Sequence, residues 1–222
     1  MMTMRTTVAF TLGALVAAVT VSERADAQAS NYPSMQVPTA STRDYTAAVS
    51  SGAGTTALFQ WREGWAPRRH WQLDAGLIDR KGSDNLSLFV GAGIGQELAN
   101  ASGDQPLDLL FTAGAGAAFG GGSTVVRLPV GVSIGHTFDL EQGVALTPFV
   151  HPRASLDVAS GKGGDSGSRS EVSLNFDLGV NLQVNRQFAV RAAAAFTGSE
   201  LAGAQDSFAI GFNWTPAPLV RR

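Results

Sequence analysis

The residues of this sequence best suited to chemistry are charged side chains at the polar positions of long alternating stretches. Charges of both signs enclosed in one interior are tolerable only when they pair, so their balance predicts a network of ion pairs. Counting outward from the loop between their strands puts Arg153 nearly opposite Asp177, which predicts that these two pair. The predicted network comprises four cations and four anions: Arg62, Arg127, Arg153, Arg191, Asp74, Asp108, Asp157 and Asp177.

A second set of residues carries the types of a hydrolase triad. His151, Ser155 and Asp157 share one face of a predicted strand. Four strand residues span about 13 Å, too far for His151 to take a proton from Ser155 directly. His70 and His136 lack a metal-site pattern, because the chain has no cysteine and no H-E-x-x-H spacing. We therefore predict no enzyme, no metal site and no cofactor.

A glycine cluster superficially suggests nucleotide binding. Gly114, Gly116 and Gly120 are spaced somewhat like a dinucleotide-binding loop. Such a loop must open a helix, whereas Gly121, Gly122 and Ser123 lead into another alternating stretch. We interpret the glycines as positions where side chains of facing strands approach closely.

The elements that must position the charges are strands with one apolar face. Seven apolar residues from Val172 to Val184 alternate with polar or small ones, a period of two. Asn185-Arg186 predicts a two-residue hairpin turn, after which the alternation resumes to Phe196. A last strand ends at Trp214. Pro129, Pro148 and Pro152 fall inside predicted strands and predict local bulges.

The number of strands follows from the same pattern. Nine alternating stretches begin at Thr55 or later, and a weak run from Asp44 to Ser50 makes ten. Bacterial single-chain membrane barrels have even strand numbers, so ten is the prediction and eight the alternative. The same parity places the Asn185-Arg186 turn on the periplasmic side and the loop of residues 159–170 outside. Short periplasmic turns and longer outer loops are the expected asymmetry.

Composition decides which way the apolar faces point. A soluble barrel normally carries Lys and Glu on its solvated face. Here the only lysines are Lys81 and Lys162, and the alternating polar positions hold Gly, Ser, Thr, Asn, Asp and Arg. Such a face is typical of a packed lumen, which leaves the apolar face to lipid. The four tryptophans lie near predicted strand ends, as in the aromatic girdles of membrane barrels.

The termini predict export. A basic start, an apolar run from Val8 to Val21 and A-x-A sites ending at Ala27 and Ala29 predict a cleaved signal peptide. The predicted organisation is a signal peptide at 1–27, a flexible periplasmic lead-in at 28–43, a barrel at 44–214 and a tail at 215–222. A formal net charge of −2 without a basic face excludes a nucleic-acid partner.

These features together resemble a small bacterial outer-membrane β-barrel of the OmpA-like or opacity-like kind. The resemblance rests on the signal peptide, the long amphipathic strands, the tight turns and the terminal strand with Phe208, Ile210, Phe212 and Trp214. It implies an assembly signal for the barrel-assembly machinery at Gly211, Phe212 and Trp214, and outer-membrane lipid as the surroundings. The chain departs from that family by continuing past Trp214 with Pro216 and Pro218.

The sequence therefore predicts an all-β, closed, antiparallel transmembrane barrel in the bacterial outer membrane. The expected function is non-enzymatic, either structural and surface-interacting or a narrow passive channel for small solutes with an ion-paired lumen. The alternative is an exported soluble barrel that binds a small apolar ligand, as lipocalins do. Solute, loop partners and oligomeric state are left open.

Overall fold

The computed structural model describes residues 33–80, 86–120, 123–140, 143–161, 168–199, 201 and 205–217. The predicted signal peptide lies outside these residues, as do Lys81, Lys162 and the last five residues of the predicted tail. Within them, no helix is long and apolar enough to cross a membrane.

The described chain is almost entirely β-strand. Its eleven strands are β1 Arg43–Ser51, β2 Gly54–Ala66, β3 Arg69–Arg80, β4 Ser87–Ala99, β5 Asp108–Gly120, β6 Ser123–Gly135, β7 Phe138–Asp139, β8 Ala145–Gly161, β9 Arg169–Gln183, β10 Phe188–Thr197 and β11 Ser207–Trp214.

Ten of these strands close into an antiparallel barrel. Each long strand pairs with its neighbours along the chain, β6 pairs with β8, and β1 pairs with β11 to complete the ring. The two-residue β7 is an appendage that pairs only with the start of β8. The predicted ten strands are confirmed and eight is wrong. The weak run from Asp44 to Ser50 is the strand that closes the barrel.

The apolar residues face outward and the polar residues face the interior. In β9, Leu174 is 75% exposed and Leu178 is 51% exposed, whereas Ser173 is 2% exposed and Asp177 is fully buried. The same alternation runs through β11, where Phe208, Ile210, Phe212 and Trp214 are all exposed. This inside-out polarity is the arrangement of a barrel in a membrane.

Aromatic residues gather on the outer surface at the end of the barrel that carries both termini. Tyr45 stacks on Trp61 with ring centroids 6.1 Å apart and on Trp214 with centroids 5.5 Å apart. Trp61 also meets the edge of Trp71 at 4.7 Å. These rings come from four neighbouring strands and form part of a belt of the kind found at membrane interfaces.

Three local predictions were wrong. The β9–β10 connection holds four residues, 184–187, rather than two. It is held by the Asn185 side chain, whose Oδ1 accepts hydrogen bonds from the backbone N–H groups of Gln187 (2.8 Å) and Phe188 (3.0 Å). An Asx side chain that closes a turn in this way removes the need for a two-residue hairpin.

The predicted proline bulges are absent from the described strands. The β8–β9 register runs unbroken past Pro148 and Pro152, because the regular pairs on both sides hold it despite the missing N–H groups. Irregularities occur instead between Gly64 and Ala66 and between Glu97 and Ala99.

The asymmetry of the loops is also weaker than predicted. The end that carries both termini includes the connections at residues 100–107 and 136–144, each longer than a tight turn. The opposite end includes the short connections at 52–53 and 121–122. Loop length therefore does not separate the two ends.

The exposed face of β9 gives a direct test of membrane insertion. We expect Leu178→Arg to lower the free energy of unfolding by about 2–4 kcal/mol, because the side chain lies mid-strand on the lipid-facing surface. The measurement is a urea titration in phospholipid vesicles, followed by tryptophan fluorescence.

The matched control is Val184→Arg, which is similarly exposed but lies just past the end of β9. Near the interface the same change should cost about 0–1 kcal/mol. Equal effects at both positions would contradict a lipid-facing strand centre.

Candidate functional site

The candidate site is the interior of the barrel, where neighbouring strands bring charges of opposite sign together. Arg127 of β6 lies directly across from Asp157 of β8. Its Nε lies 2.9 Å from Asp157 Oδ1 and its Nη2 lies 2.9 Å from Oδ2. Two parallel charge-assisted hydrogen bonds make this a bidentate pair, the strongest geometry available to Arg and Asp.

A second pair joins β8 to β9. Arg153 Nη2 lies 2.7 Å from Asp177 Oδ1; the Asp177 side chain is fully buried and that of Arg153 is 10% exposed. His151 lies directly across from Asp177, with its Nδ1 3.5 Å from Oδ2. Asp177 thus receives contacts from both residues, as expected for directly opposed and diagonal cross-strand neighbours.

A third group contains an anion that the sequence analysis missed. Asp44 of β1 lies between Arg62, 3.6 Å away, and Arg191, 3.7 Å away, with all three side chains buried. Its position on the polar side of β1, in phase with Thr46, was the available signal. The run from Asp44 to Ser50 looked too weak as a strand for that phase to be used.

Asp108 and Asp74 of the predicted network also make hydrogen bonds to neutral groups. Asp108 Oδ1 accepts a hydrogen bond from the Ala101 backbone N–H at 2.7 Å, which anchors the β4–β5 connection. Within the described residues Asp108 forms no ion pair. Asp74 Oδ2 accepts a hydrogen bond from Gln72 Nε2 at 2.7 Å and lines a cavity in the lumen.

The largest departure from prediction is a segment that fills part of the lumen. Residues 33–42, here called the plug, were expected to belong to a flexible lead-in. They instead run inside the barrel, with Met35, Gln36 and Val37 all buried. The prediction failed because this stretch has no periodicity. An extended segment that is surrounded by protein on all sides has no exposed face, so its sequence need not alternate between apolar and polar residues. Residues 28–32 of the lead-in lie outside the described residues.

The wall holds the plug largely through backbone carbonyl groups. Gln60 Nε2 and Arg62 Nη2 each donate to Ser34 O at 3.2 Å. Ser133 Oγ donates to Gln36 O at 2.6 Å. The donors come from β2 and β6, so the plug is gripped from two sides.

Further hydrogen bonds join the wall to Ser34 and to the segment of the plug next to β1. Ser34 Oγ lies 2.6 Å from His151 Nδ1, and the Ser34 N–H donates to Asp177 Oδ2 at 3.2 Å. Near the barrel end, the Ala40 N–H donates to Glu97 Oε1 at 2.7 Å, and the Gly64 N–H donates to Thr42 O at 2.8 Å. The plug therefore runs from the terminus-bearing end towards the middle of the lumen.

Glycines of the inner face fall into two classes. At Gly76, Gly95 and Gly179 an added Cβ would collide with the rings of Phe89, His70 and Phe149, each at less than 2.5 Å. Glycine at these positions makes room for a ring, as the sequence interpretation of close approach expected. Gly93, Gly114 and Gly116 differ, because an added Cβ there would meet only backbone of the adjacent strand.

The glycines of this second class border a cavity of about 120 Å³ beside Ser34 of the plug. Gly91 pairs with Gly116 and Gly93 pairs with Gly114 across β4 and β5, which forms a floor without side chains. The rest of its lining is largely apolar, with polar side chains at Ser34, Asp74, Thr112, Arg127 and Arg153, among others. Beside these polar groups a cavity of this size accommodates several water molecules.

The chain thus folds as a small outer-membrane-type β-barrel. Its fold has counterparts among solved structures. The KdgM porin matches with a TM-score of 0.42 and 6% identity, over 78% of this chain and 99% of that chain. The N-terminal β-barrel domain of Pseudomonas aeruginosa OprF matches with a TM-score of 0.39 and 12% identity, over 79% of this chain and 98% of that chain.

A third match is Ail, the attachment invasion locus protein of Yersinia pestis, with a TM-score of 0.28 and 14% identity. It covers 78% of this chain and 94% of that chain. No protein-family model matches, and no curated protein matches. Because these scores and identities are low, the function of this barrel has to be inferred from its own side chains.

Two residues of the rejected triad, Ser155 and Asp157, are connected through hydrogen bonds to Ser173. Ser155 Oγ contacts Ser173 Oγ at 2.9 Å, and Ser173 Oγ donates to Asp157 Oδ2 at 3.3 Å. His151 instead contacts Ser34 and, through its Nε2, Thr112 Oγ1 at 2.9 Å. No group of three or more potential metal ligands occurs among the described residues.

The Arg153–Asp177 pair yields a stability prediction. We expect Asp177→Asn to lower the free energy of unfolding by about 3–5 kcal/mol, since it leaves a buried guanidinium without its counter-charge. The double variant Arg153→Met, Asp177→Leu should cost less, because no buried charge is left alone. Urea titration in vesicles measures both.

The control is Arg68→Met, which removes an ion pair with Glu97 in which the arginine is about half exposed. It should change the free energy of unfolding by about 1 kcal/mol or less. An equally small effect of Asp177→Asn would mean that water, rather than Arg153, satisfies Asp177.

Proposed function

We propose that this protein is a non-catalytic barrel of the bacterial outer membrane, with a structural or surface role and a lumen that is closed at rest. The apolar outer face, the aromatic belt and the closed ring of strands support the membrane location. The expected signal peptide supports export, with outer-membrane lipid as the surroundings.

One observation carries the closed state. The interior is occupied both by wall side chains and by the plug, and the large side chains of Arg62, Met35 and Phe149 are fully or almost fully buried there. A barrel of about eight strands is just wide enough for side chains to fill it, and open aqueous channels occur near 16 strands. A ten-strand barrel that also encloses a peptide segment has little space left for solutes.

A second candidate function is a narrow passive channel for small solutes. The cavity over the glycine floor of β4 and β5 favours it, because a space of about 120 Å³ with charged side chains on its wall already exists beside the plug. The ion pairs that border the lumen would then line the constriction of the channel.

The soluble, lipocalin-like alternative requires the opposite polarity. It would place Phe176 and Leu178 around an internal ligand and Asp177 in water. Asp177 is fully buried, whereas Phe176 and Leu178 are 41% and 51% exposed, which argues against it.

Localisation and closure are tested together. We expect the protein in the outer-membrane fraction, migrating differently in detergent gels with and without boiling. In planar bilayers the intact protein should give no stable conductance steps, because its lumen is filled. Stable conductance steps would favour the channel. A soluble protein without a heat-dependent shift in gel mobility would contradict the proposed membrane barrel.

We also propose that the barrel-assembly machinery reads the end of β11, with Gly211, Phe212 and Trp214 as the signal. Phe212 and Trp214 are exposed, as a recognised edge requires, whereas Gly211 faces the lumen.

Trp214→Ala should slow assembly in proteoliposomes that contain the machinery. Folding into detergent without it should be affected much less, since the ring mainly covers outer surface. Phe208→Ala, at the other end of β11, is the control and should leave the assisted rate nearly unchanged. Equal slowing with and without the machinery would indicate a packing defect rather than a lost signal.

A further inference from the structure

We propose that the plug is releasable, and that the space it occupies is a binding site for an extended, uncharged peptide segment. The proposal builds on the closed membrane barrel described above and adds a ligand class and a mechanism of opening.

The first argument is that each of these charged groups of the wall has its counter-charge in the wall itself. Arg127 pairs with Asp157, Arg153 pairs with Asp177, and Asp44 is shared by Arg62 and Arg191. All of these residues belong to barrel strands, whereas residues 33–42 carry no charge. Withdrawal of the plug therefore leaves each of these charges with its counter-charge, although Asp177 loses the Ser34 N–H and Asp44 loses the Ser41 hydroxyl as hydrogen-bond donors.

The second argument concerns how the plug is recognised. Arg62, Gln60 and Ser133 donate to its carbonyl groups, and Arg191 Nη1 lies 3.5 Å from Met35 O. Carbonyl groups are common to every peptide. The hydrogen bonds from Gln60 and Ser133 are neutral and those from Arg62 are charge-assisted, but after release water can accept from the same donors, so the net contribution of each is modest. No strand of the described barrel extends into the plug, so its release breaks no sheet ladder.

Side-chain recesses narrow the ligand class. An added Cβ at Gly211 would lie 2.8 Å from Met35 Cε, and one at Gly135 would lie 3.1 Å from Pro38 Cγ. The wall is thus hollowed where Met35 and Pro38 pack. Met35 lies in a buried apolar cluster with Ala48 and Ala209, so a charged side chain in this recess would be buried among apolar groups. The site therefore favours an uncharged chain with an apolar residue three positions before a proline.

The third argument is the cavity beside Ser34, the plug residue that borders it. The glycine floor holds the cavity open from Ser34 towards Arg127, which lies nearer the end of the barrel opposite the termini. Removal of the plug would join this cavity to the space vacated by residues 33–42. The result would be a water-filled path along the inside of β4 and β5.

The experiment begins with deletion of residues 33–41, which keeps β1 intact. The variant should retain the heat-dependent shift in gel mobility and should conduct ions in planar bilayers. A synthetic peptide with the sequence of residues 28–42 should then block the current. The same peptide with Met35→Lys should block roughly tenfold less well, since a cation there is buried close to Arg62 and Arg191 without a counter-charge.

The outcomes separate the two levels of the proposal. Loss of the heat-dependent shift in the intact protein contradicts the barrel itself. A folded deletion variant that does not conduct, or current that neither peptide blocks, overturns the plug. Equal block by both peptides overturns the recess as the source of selectivity.

Release in the full-length chain is tested without any deletion. The natural chain has no cysteine, so Val37→Cys provides a single thiol at a buried plug position. A membrane-impermeant thiol reagent should label it slowly but to completion, and the labelled protein should conduct because the adduct cannot re-enter. Ser168→Cys, at an exposed position, should react at once. No labelling of Val37→Cys in the folded barrel would show that the plug is a fixed part of the core.

Discussion

The structure depends on one constraint: in a hydrocarbon layer every backbone N–H and C=O group must find its partner within the protein. A sheet meets this demand only by closing on itself, and here the pairing of β1 with β11 completes the ring. Closure also fixes the diameter, because ten strands enclose a space of limited width. That space is too narrow for a wide aqueous pore, so its contents decide what the protein can do.

The contents combine two solutions to the cost of burying polar groups. Charged groups of the wall pair with each other: Asp44, Asp157 and Asp177 each contact an arginine of a neighbouring strand. The plug adds no charge, and its carbonyl groups accept hydrogen bonds that the wall would otherwise give to water. The charge balance of the interior therefore lies in the wall, and the plug contributes only neutral groups.

The fold was largely predictable from the sequence, because the repeated alternation of apolar and polar residues indicates both where the strands lie and which of their side chains face outward. The Arg153–Asp177 contact could be anticipated since antiparallel register follows from counting outward from a loop. The role of Asp44 was missed because β1 has few large apolar residues, so its alternation was too weak to assign a face to Asp44. The plug was invisible to pattern analysis, since an extended segment surrounded on all sides needs no alternation. Loop shapes and the tolerance of Pro148 depended on single side chains and neighbouring pairs rather than on any periodic signal.

The seam between β1 and β11 has a consequence for the order of folding. Ala48 and Gly211 are direct partners in that seam, and Met35 packs against this pair from inside. The two strands come from opposite ends of the chain, so their ladder has the largest loop-closure cost and is expected to form late. A segment directly preceding β1 is then enclosed as the last ladder zips up, rather than threaded into a finished cylinder. Met35 would then pack against β1 and β11 as these two strands pair.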